Sequence, residues 1–568
     1  SSCPPTTSSD LAESAGIRAT PYPGGVPPLP QFAHRALSRV ADLPPPTHRY
    51  RVRRAVPIPM RDGVELLADH YEPIGKPVGT LLVRSPYGRG FPLAQLYGTP
   101  YAARGHHVIL QSVRGTFGSG GEFSPAVNEV DDGLDTAAWL REQPWYTGSF
   151  GTIGPSYLAH TQFAMLEDPP EDLAAAVTIV GVHDLADATW GTGAFTVNDF
   201  LGWSHGLVHQ EEPGWMRAAI RNLRQYSEVR RAVSEVPLGR SGRDLLGDGA
   251  PWWEPWTGNA NLDDPFWEPY RRDGGLDRAE VPILVVGGWQ DIFLDQTLEQ
   301  YRRLRDRGAD VALTVGPWTH THTMTRAAPA VLRESLDWFG RHLGGHDVAP
   351  RPRTRIFVTG GGGWRELADW PPADAGAAVL YLAPGELRAE PGPDAAVSSQ
   401  FTYDPADPTP TVGGRLLSPD SGRRRDDALA TRDDVLVFDG PELTADVEVH
   451  GAPVVELDHR CDNPYFDVFV RISEVDGRGR STNISDGYRR FVRDADDPAP
   501  IRLALDEIAH RFTAGNRIRL LIAGGSHPRY ARNLGTGEHP RDGVQMVPST
   551  QTIGHGGASR LLLPIHRP

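Results

Sequence analysis

Three short segments, far apart along the chain, contain the residue types that nucleophilic catalysis requires. Segment 151–157 (GTIGPSY) offers Ser156, segment 287–293 (GGWQDIF) offers Asp291, and segment 315–320 (VGPWTH) offers His320. A serine hydroxyl is not ionised at neutral pH. It attacks a carbonyl carbon only when a base lies within hydrogen-bond reach and an acid orients that base. The three residues together could therefore perform acyl transfer through a covalent intermediate.

Each segment taken alone is weak evidence for a catalytic residue. A Gly-x-Ser triplet occurs by chance in many proteins, Asp291 could be a turn residue after a strand, and His320 could be a polar loop residue. The chain order serine, aspartate, histidine is more informative, because it is typical of α/β-hydrolases and differs from the orders in chymotrypsin and subtilisin. The elements around the three residues must decide whether they can meet.

The pattern around these residues predicts a doubly wound α/β sheet. Short apolar runs at 79–84, 107–111, 174–181, 281–286 and 310–315 are typical of buried parallel strands. Segments of helical period at 134–142, 157–165, 296–307 and 330–343 alternate with them. Ligands bind beyond the carboxyl ends of the strands in such sheets. Ser156, Asp291 and His320 each lie just past a strand, so we expect them at one edge of one sheet.

Composition divides the chain into five parts. Residues 1–45 are rich in Pro, Ser and Thr and predict a loosely attached arm with a helix near 31–41. Residues 46–186 and 277–349 carry the α/β pattern, and 187–276, where strand signals vanish and seven tryptophans occur, predict a helical lid inserted above the site. From 350 to 568 the hydrophobic period changes to two, with short strands expected at 355–358, 434–438, 445–450, 465–471 and 518–522, which predicts an all-β sandwich.

The chain resembles the cocaine-esterase-like branch of the X-Pro dipeptidyl-peptidase (S15) hydrolases, often called CocE/NonD hydrolases. The resemblance extends from about residue 50 to the C-terminus. The matching pieces are RSPY at 84–87, QSVRGTFGSGGEF at 111–123, GPSYL at 154–158, GGWQD at 287–291, GPWTH at 316–320, GWR at 363–365, WP at 370–371 and YDPADP at 403–408.

This resemblance implies a role for each candidate site residue. Ser156 would be the nucleophile, His320 the general base and Asp291 the acid that orients it. The hydroxyl of Tyr87 and the backbone N–H of Tyr157 would form the oxyanion hole, where donors stabilise the transition state more than the ground state. In addition, the resemblance implies a jelly-roll topology for the C-terminal sandwich.

The same resemblance suggests residues that contact the substrate. The run FLGWS at 200–204 is similar to the family's lid segment that lines the acyl pocket. We therefore expect Trp190 and Trp203 in the lid, with Phe293 beside the acid, to bind substrate.

Two positions depart from the family's Gly-x-Ser-Tyr-x-Gly pattern. Ala159 replaces the last glycine and adds one methyl group where a helix packs on a strand. Pro155 precedes the serine and biases Gly154 toward extended geometry, which suits a sharp strand-to-helix turn. Neither change removes a group that the proposed chemistry needs.

Composition excludes several other classes of protein. A formal charge of −15 argues against nucleic acid or an anionic membrane as partner, and no apolar run approaches the length of a membrane span. The two cysteines cannot build a disulfide framework, and we expect no metal and no cofactor, because zinc-ligand and nucleotide-loop patterns are absent.

We expect a cytoplasmic protein, with secretion after signal cleavage as the alternative, and a possible homo-oligomer. The charge run at 423–427 predicts a solvated loop.

The residues after Asp291 indicate the substrate class. The α-amino acid ester hydrolases of this superfamily carry acidic residues there, whereas this chain has Ile292 and Phe293. An apolar wall cannot compensate the desolvation of an ammonium group. We therefore expect a small-molecule ester with a neutral, hydrophobic or aromatic acyl group. Acyl transfer, X-Pro dipeptidase activity, amino acid ester hydrolysis and a non-catalytic binding role are the alternatives.

Overall fold

A ten-stranded sheet forms the centre of the first domain. The structure is a computed structural model, and it describes residues 38–39, 43–212, 215–344, 347–373, 376–392, 397–493 and 500–566, with only the backbone of 215–223. The helix expected near 31–41 lies outside the described residues, apart from Ser38 and Arg39. The strands of this sheet are β1 (Arg49–Pro59), β2 (Glu65–Ile74), β3 (Gly79–Ser85), β4 (His106–Ser112), β5 (Phe150–Pro155), β6 (Leu173–Ile179), β7 (Ile283–Gln290), β8 (Val311–Thr319), β9 (Thr354–Val358) and β10 (Gly363–Leu367).

The strand order explains why the candidate residues share one edge. The strands follow the order β1-β2-β4-β3-β5-β6-β7-β8-β9-β10. They are parallel from β4 to β9 in that order and antiparallel at both ends. Strands β3, β5, β7 and β8 therefore all end at the same side. Residues in β3 and β4 are buried throughout, as the continuous apolar runs predict.

Helices cover both faces of this sheet. Their apolar stripes pack against the strands in two buried clusters, one on each face, that contain for example Phe163 and Phe339. These helices are α1 (Thr99–Ala102), α2 (Glu129–Arg141), α3 (Tyr157–Met165), α10 (Leu294–Asp306) and α11 (Ala328–His342), with a π-helical turn at Ala94–Gly98 and a 3₁₀ turn at His320–Met324.

A helical insertion separates β6 from β7. It comprises α4 (Leu185–Trp190), α5 (Val197–His209), α6 (Trp215–Val233), α7 (Leu238–Leu246), α8 (Trp253–Gly258) and α9 (Asp273–Arg278), with 3₁₀ turns at Gly247–Gly249 and Pro265–Tyr270. Its own core is aromatic: Trp253, Trp256 and Trp267 are almost fully buried. Most tryptophans of this segment thus stabilise the insertion itself.

The C-terminal domain is all-β. Its strands are β11 (Gly376–Ala383), β12 (Glu386–Arg388), β13 (Ser398–Tyr403), β14 (Val435–Asp439), β15 (Val447–Gly451), β16 (Val454–Cys461), β17 (Tyr465–Val475), β18 (Ser481–Val492), β19 (Ile501–Ala504), β20 (Ile508–Phe512), β21 (Arg517–Ala523), β22 (Ser549–Gly554) and β23 (Arg560–His566), with a 3₁₀ turn at Leu429–Thr431. Most pairings are antiparallel, and the core holds a separate apolar cluster.

One strand that the sequence assigns to the C-terminal sandwich belongs to the first sheet instead. The period-two pattern predicts 355–358 as the first strand of the C-terminal domain. In the structure, β9 pairs parallel with β8 and antiparallel with β10, so both belong to the first sheet. A short alternating run cannot reveal its pairing partner, because alternation reports only that one face is buried. The first sheet therefore extends to Leu367.

Candidate active site

Asp291 and His320 are joined by a short hydrogen bond. Nδ1 of His320 lies 2.6 Å from Oδ1 of Asp291, and the Asp291 side chain is fully buried. The other oxygen, Oδ2, accepts a hydrogen bond from the backbone N–H of Phe293 at 3.0 Å. An ionised carboxylate only accepts hydrogen bonds, so this contact favours the neutral tautomer with the proton on Nδ1 and with Nε2 as an acceptor. This tautomer is the one that a general base requires.

Ser156 lies at a strained turn between β5 and α3. Its φ is +58° and its ψ is −123°, a conformation that non-glycine residues rarely adopt. Such geometry costs on the order of 1–3 kcal/mol and persists only where the surrounding structure enforces it. The N–H of Ser156 donates to the carbonyl of Ile179 at 2.9 Å, which holds the turn against β6. This geometry is the one expected for a nucleophile elbow at a Gly-x-Ser motif.

The neighbours of Ser156 permit this turn through close backbone approach. A Cβ added to Gly154 would lie 2.3 Å from Cβ of Leu158, so only glycine fits there. Ala159 is fully buried against Gly181, where an added Cβ would lie 2.8 Å from that of Ala159. The methyl group of Ala159 is therefore accommodated because the facing residue has no side chain.

Ser156 and His320 line one cavity of about 290 Å³. No hydrogen bond joins the two side chains in the described part of the chain. Catalytic hydrogen bonds are often long without substrate and tighten in the complex. The remaining lining is mostly apolar and comes from three regions: the first domain, the helical insertion and the C-terminal domain. It includes Tyr87, Leu93, Val182, Leu185, Phe200, Trp203, Ile292, Phe293, Met324 and Leu417.

Tyr87 and Tyr157, the two residues expected to supply oxyanion donors, line the same cavity as Ser156. Tyr157 is the first residue of α3, and the first N–H groups of a helix have no intrahelical acceptor. Tyr87 follows β3, and its hydroxyl oxygen accepts a hydrogen bond from Nε1 of Trp203 at 2.9 Å. Burial raises the pKa of Tyr87 to about 12, against smaller opposing effects of hydrogen bonds to Trp203 and Ser156. The phenol therefore stays protonated and able to donate.

A buried polar network holds the side chain of Tyr157. Its hydroxyl donates to Oε1 of Glu129 at 2.8 Å and accepts from the backbone N–H of Ala126 at 2.7 Å. Glu129 in turn forms an ion pair with Arg84 at 3.0 Å, and Arg84 donates to Gln111 at 2.9 Å. Sequence reasoning singled out the RSPY and QSVRG motifs without a role for Arg84 or Gln111. The structure shows that Arg84 and Gln111 position the start of α3.

His322 has a different role from His320. Its Nδ1 accepts a hydrogen bond from the backbone N–H of Thr319 at 3.3 Å, which caps the 3₁₀ turn after β8. Burial, with the charges of Arg326 and Arg424, lowers the pKa of His322. The carboxylate of Asp291 is hydrogen-bonded to His320 and not to His322. This contact makes His320 the better candidate for the general base.

Comparison with known proteins decides the family. Residues 62–322 match the family model of X-Pro dipeptidyl-peptidase (S15 family), and residues 346–562 match that of the X-Pro dipeptidyl-peptidase C-terminal non-catalytic domain. The chain is 31% identical to the cocaine esterase of Rhodococcus sp. (strain MB1 Bresler) over 540 residues, which cover 86% of this chain and 93% of that protein.

The chain belongs to the X-Pro dipeptidyl-peptidase (S15) family. The similarity to cocaine esterase confirms the branch that the sequence motifs indicate, and the chain is a serine hydrolase.

Solved structures share the fold of this S15 chain. An α-amino acid ester hydrolase superposes with a TM-score of 0.79 at 21% identity, covering 97% of this chain and 100% of the other. An aminopeptidase from a marine sediment archaeon, Thaumarchaeota archaeon, has a TM-score of 0.78 at 22% identity, covering 92% and 96%. These similarities establish the hydrolase architecture and the all-β C-terminal domain.

The predicted substrate-binding residues of this S15 hydrolase do not all reach the cavity. Trp203 and Phe293 line it, whereas Trp190 is not among its lining residues. Trp190 is 2% exposed, packs against Phe195, and donates from Nε1 to the carbonyl of Trp256 at 2.9 Å. Its indole stabilises the core of the insertion. We therefore leave Trp190 out of the acyl pocket.

Sequence reasoning missed one carboxylate at the cavity. Asp199, in α5, lines the same cavity as Ser156. Its Oδ1 accepts from the N–H of Leu417 at 2.8 Å and from Nδ2 of Asn198 at 2.9 Å. Burial raises the pKa of Asp199 despite these bonds and the charges of Arg529 and His320. The available signal was its position directly before the run at 200–204, which resembles the family's pocket-lining segment.

A group with metal-ligand chemistry lies away from the cavity. Among the described residues, ligand atoms of His183, Asp273 and Glu299 come within 4.8 Å of one another. Arg303 forms ion pairs with both carboxylates, so a guanidinium already supplies the positive charge there.

In the described part of the chain, no helix is long and apolar enough to cross a membrane.

Proposed function

We propose that this S15 hydrolase cleaves carboxylic esters of small molecules that have a neutral, hydrophobic or aromatic acyl group. The main observation behind this proposal is the 2.6 Å hydrogen bond between Nδ1 of His320 and Oδ1 of Asp291. His320 lines the same cavity as Ser156. A nucleophile, a base and an orienting acid thus converge from three loops at one sheet edge. The activity named for the cocaine esterase relative supports an ester substrate.

The proposed reaction proceeds through an acyl-enzyme. Nε2 of His320 takes the proton of Ser156 as Oγ attacks the ester carbonyl, and Asp291 stabilises the imidazolium that forms. The tetrahedral oxyanion accepts hydrogen bonds from the N–H of Tyr157 and the hydroxyl of Tyr87. When the intermediate collapses, His320 returns the proton to the leaving oxygen and the alcohol departs. Water, deprotonated by His320, then attacks the acyl-enzyme and releases the acid and free Ser156.

The apolar lining supports a neutral acyl group. Phe200, Trp203, Ile292 and Phe293 offer carbon surface and rings, which favour aliphatic or aromatic acyl chains. Phe293 also packs edge-on against the ring of His320, with centroids 5.4 Å apart. A cavity of about 290 Å³ suits a small molecule rather than a protein chain.

We further propose that the helical insertion acts as a lid and that the C-terminal domain is a jelly roll that closes one side of the cleft. Leu185 and Trp203 of the insertion and Leu417 of the C-terminal region all line the cavity, which supports a covering role for both parts. Excluding bulk water strengthens the electrostatic interactions within such a site.

The presence of Asp199 at the cavity favours a second candidate function, the hydrolysis of α-amino acid esters. A carboxylate at the cavity could pair with a substrate ammonium, although the residues next to Asp291 are apolar. Burial raises the pKa of Asp199, and its Oδ1 is already occupied by two donors. Both features weaken it as an ammonium anchor, so the neutral acyl group remains the principal proposal.

Covalent labelling tests the proposed nucleophile. A fluorophosphonate probe should label Ser156, and Ser156→Ala should lose both labelling and turnover of a para-nitrophenyl ester. Ser227→Ala is the matched control, because Ser227 lies exposed on the insertion and its hydroxyl donates to the carbonyl of Arg224 in its own helix. Retained turnover in Ser156→Ala, with labelling of another serine, would contradict the proposal.

A further inference from the structure

A second cavity lies next to the proposed active site. It has a volume of about 410 Å³ and lies between the end of β8 and the C-terminal domain. Thr321 lines both cavities. The chain segment after Gly414 also passes from one to the other, since Leu417 lines the first and Ser418 the second. The two cavities are therefore neighbours that share a wall beside His320.

Positive charge concentrates in this second cavity. Arg326, Arg423 and Arg424 all line it, and no carboxylate does. Within the described ranges, Arg326 has no ion-pair partner, and the guanidinium of Arg424 donates only to the backbone carbonyls of Pro419 and Asp420. Arg423 lies 3.9 Å from Glu474, at the limit of an ion pair. The cavity thus carries a net positive charge that an anion would neutralise.

The charge run at 423–427 was predicted to be a solvated loop. Arg423, Arg424 and Arg425 are exposed, as expected, and only Asp426 departs from this prediction. Asp426 is fully buried and accepts from Ser473, while Arg423 and Arg424 line the cavity. Arg425 does not line the cavity and forms an ion pair with Asp427 at 2.7 Å. Arg425 therefore differs in its surroundings from Arg423 and Arg424.

The rest of the second cavity is lined by both polar and apolar side chains, and its apolar part is aromatic and aliphatic. Trp289 and Trp318 are 4% and 7% exposed, and Ile484 and Ile508 contribute aliphatic surface. A simple inorganic anion would not use these walls. Aromatic and aliphatic surface combined with guanidinium groups suits an organic anion that has an apolar body.

The location of the second cavity places it on the leaving-group side of the proposed active site. In the proposed reaction, His320 returns a proton to the leaving oxygen, so the group attached to that oxygen must lie close to His320 and the residues that follow it. Thr321 and His322 follow directly, and both line the second cavity. The acyl side is occupied by Phe200, Trp203 and Phe293 in the first cavity.

We propose that the second cavity binds the negatively charged, apolar leaving-group part of the substrate, such as a carboxylate on an aromatic or aliphatic alcohol. This inference rests on the proposed ester hydrolysis and specifies its leaving group. Arg326 and Arg424 would contact the carboxylate, and Trp289 and Trp318 would pack against its apolar body.

A pair of esters tests the assignment by turnover. The substrates are para-(butyryloxy)benzoate and its methyl ester, which share the acyl group and differ in the charge of the leaving group. Intrinsic reactivity cancels when the ratio of their kcat/KM values is compared between variants. The ratio should fall about tenfold in Arg326→Gln and in Arg424→Gln, since a charge-assisted contact contributes roughly that factor. Arg425→Gln is the matched control and should leave the ratio unchanged. An unchanged ratio in both cavity variants, or an equal change in Arg425→Gln, would overturn the proposal.

A binding measurement separates this proposal from the proposed function. Calorimetry with the Ser156→Ala protein compares para-hydroxybenzoate with its methyl ester and needs no turnover. Tighter binding of the anion, lost in Ser156→Ala combined with Arg326→Gln and weakened by added salt, supports the subsite. Equal binding of anion and methyl ester would overturn it. Failure of the wild-type protein to hydrolyse either ester would contradict the proposed function, whereas the calorimetry still decides the anion site.

Discussion

Nε1 of Trp203 donates a hydrogen bond to the hydroxyl of Tyr87 over 2.9 Å. Trp203 belongs to the helical insertion and Tyr87 to the loop after β3, so the two residues join the insertion to the centre of the first domain. Because the indole supplies the donor, the phenol keeps its own proton for another acceptor. The insertion thus positions the group that we propose as an oxyanion donor.

Tyr87→Phe should reduce kcat and leave KM nearly unchanged. The Tyr87 hydroxyl would donate to a fully charged oxygen only in the transition state. One such donor lowers the activation free energy by about 2.7–4 kcal/mol, which corresponds to a factor of roughly 10²–10³ in kcat. Steady-state kinetics on a butyryl ester measures both constants. Trp203→Phe is the matched comparison and should have a smaller effect on kcat, because it removes only the partner of the phenol. A wild-type kcat in Tyr87→Phe would mean that other groups hold the oxyanion.

The alkaline side of the pH profile should be independent of Tyr87. Burial raises the pKa of this phenol to about 12, so its donating, protonated form persists from neutral pH to above pH 10 and is lost only near pH 12. The pH dependence of kcat should therefore have the same shape between pH 7 and 10 in wild type and Tyr87→Phe. A decline within that range that occurs only in the wild type would show that Tyr87 ionises much earlier.

His320→Ala should lower kcat by several orders of magnitude, and His322→Ala should have a far smaller effect. Asp291 is bonded to His320, whereas Nδ1 of His322 accepts from the backbone of Thr319. Losses on the scale of triad deletions are expected for the general base alone. Initial rates with one ester compare the two variants directly, and circular dichroism checks that both are folded. If His322→Ala were the more damaging change, the assignment of the base would be wrong.

Tyr157→Phe should affect stability more than catalysis. The N–H proposed for the oxyanion hole is a backbone group and stays, but the buried carboxylate of Glu129 loses a donor at 2.8 Å. Leaving a buried partner unsatisfied costs roughly 1–3 kcal/mol. Urea unfolding measures this loss, and kcat should change only a few-fold. Glu129→Gln should be more destabilising than Tyr157→Phe, because it leaves the buried guanidinium of Arg84 without its carboxylate partner. A large loss of kcat at unchanged stability would argue against this positioning role.

A butyryl ester should be hydrolysed with at least tenfold higher kcat/KM than the free-amine alanyl ester of the same alcohol. An ammonium group buried against Ile292 and Phe293 costs several kcal/mol unless a carboxylate pairs with it. Asp199→Asn tests the one carboxylate that lines the cavity, and it should widen this ratio only modestly. A wild-type preference for the alanyl ester that Asp199→Asn abolishes would favour the amino acid ester alternative.

The sequence alone located several of the local elements, although β7 and β8 extend beyond their predicted ends to Gln290 and Thr319. Apolar runs at 79–84 and 310–315 correspond to β3 and β8, and the helical period at 157–165 corresponds to α3. These are local properties: strand and helix periods, and the turn chemistry of a Gly-x-Ser elbow, depend on neighbouring residues. Since carboxyl ends of parallel strands share one edge, local elements also sufficed to bring Asp291 and His320 together.

Only the tertiary structure decided which distant side chains share a surface. β9 joins the first sheet, Trp190 turns into the core of the insertion, Asp199 reaches the cavity from α5, and Arg424 lines a second cavity while Arg425 does not. Each of these outcomes depends on packing between segments tens to hundreds of residues apart. The hydrophobic period of a helix or strand indicates which of its faces is buried. Which residues contact that face depends on how whole elements pack together.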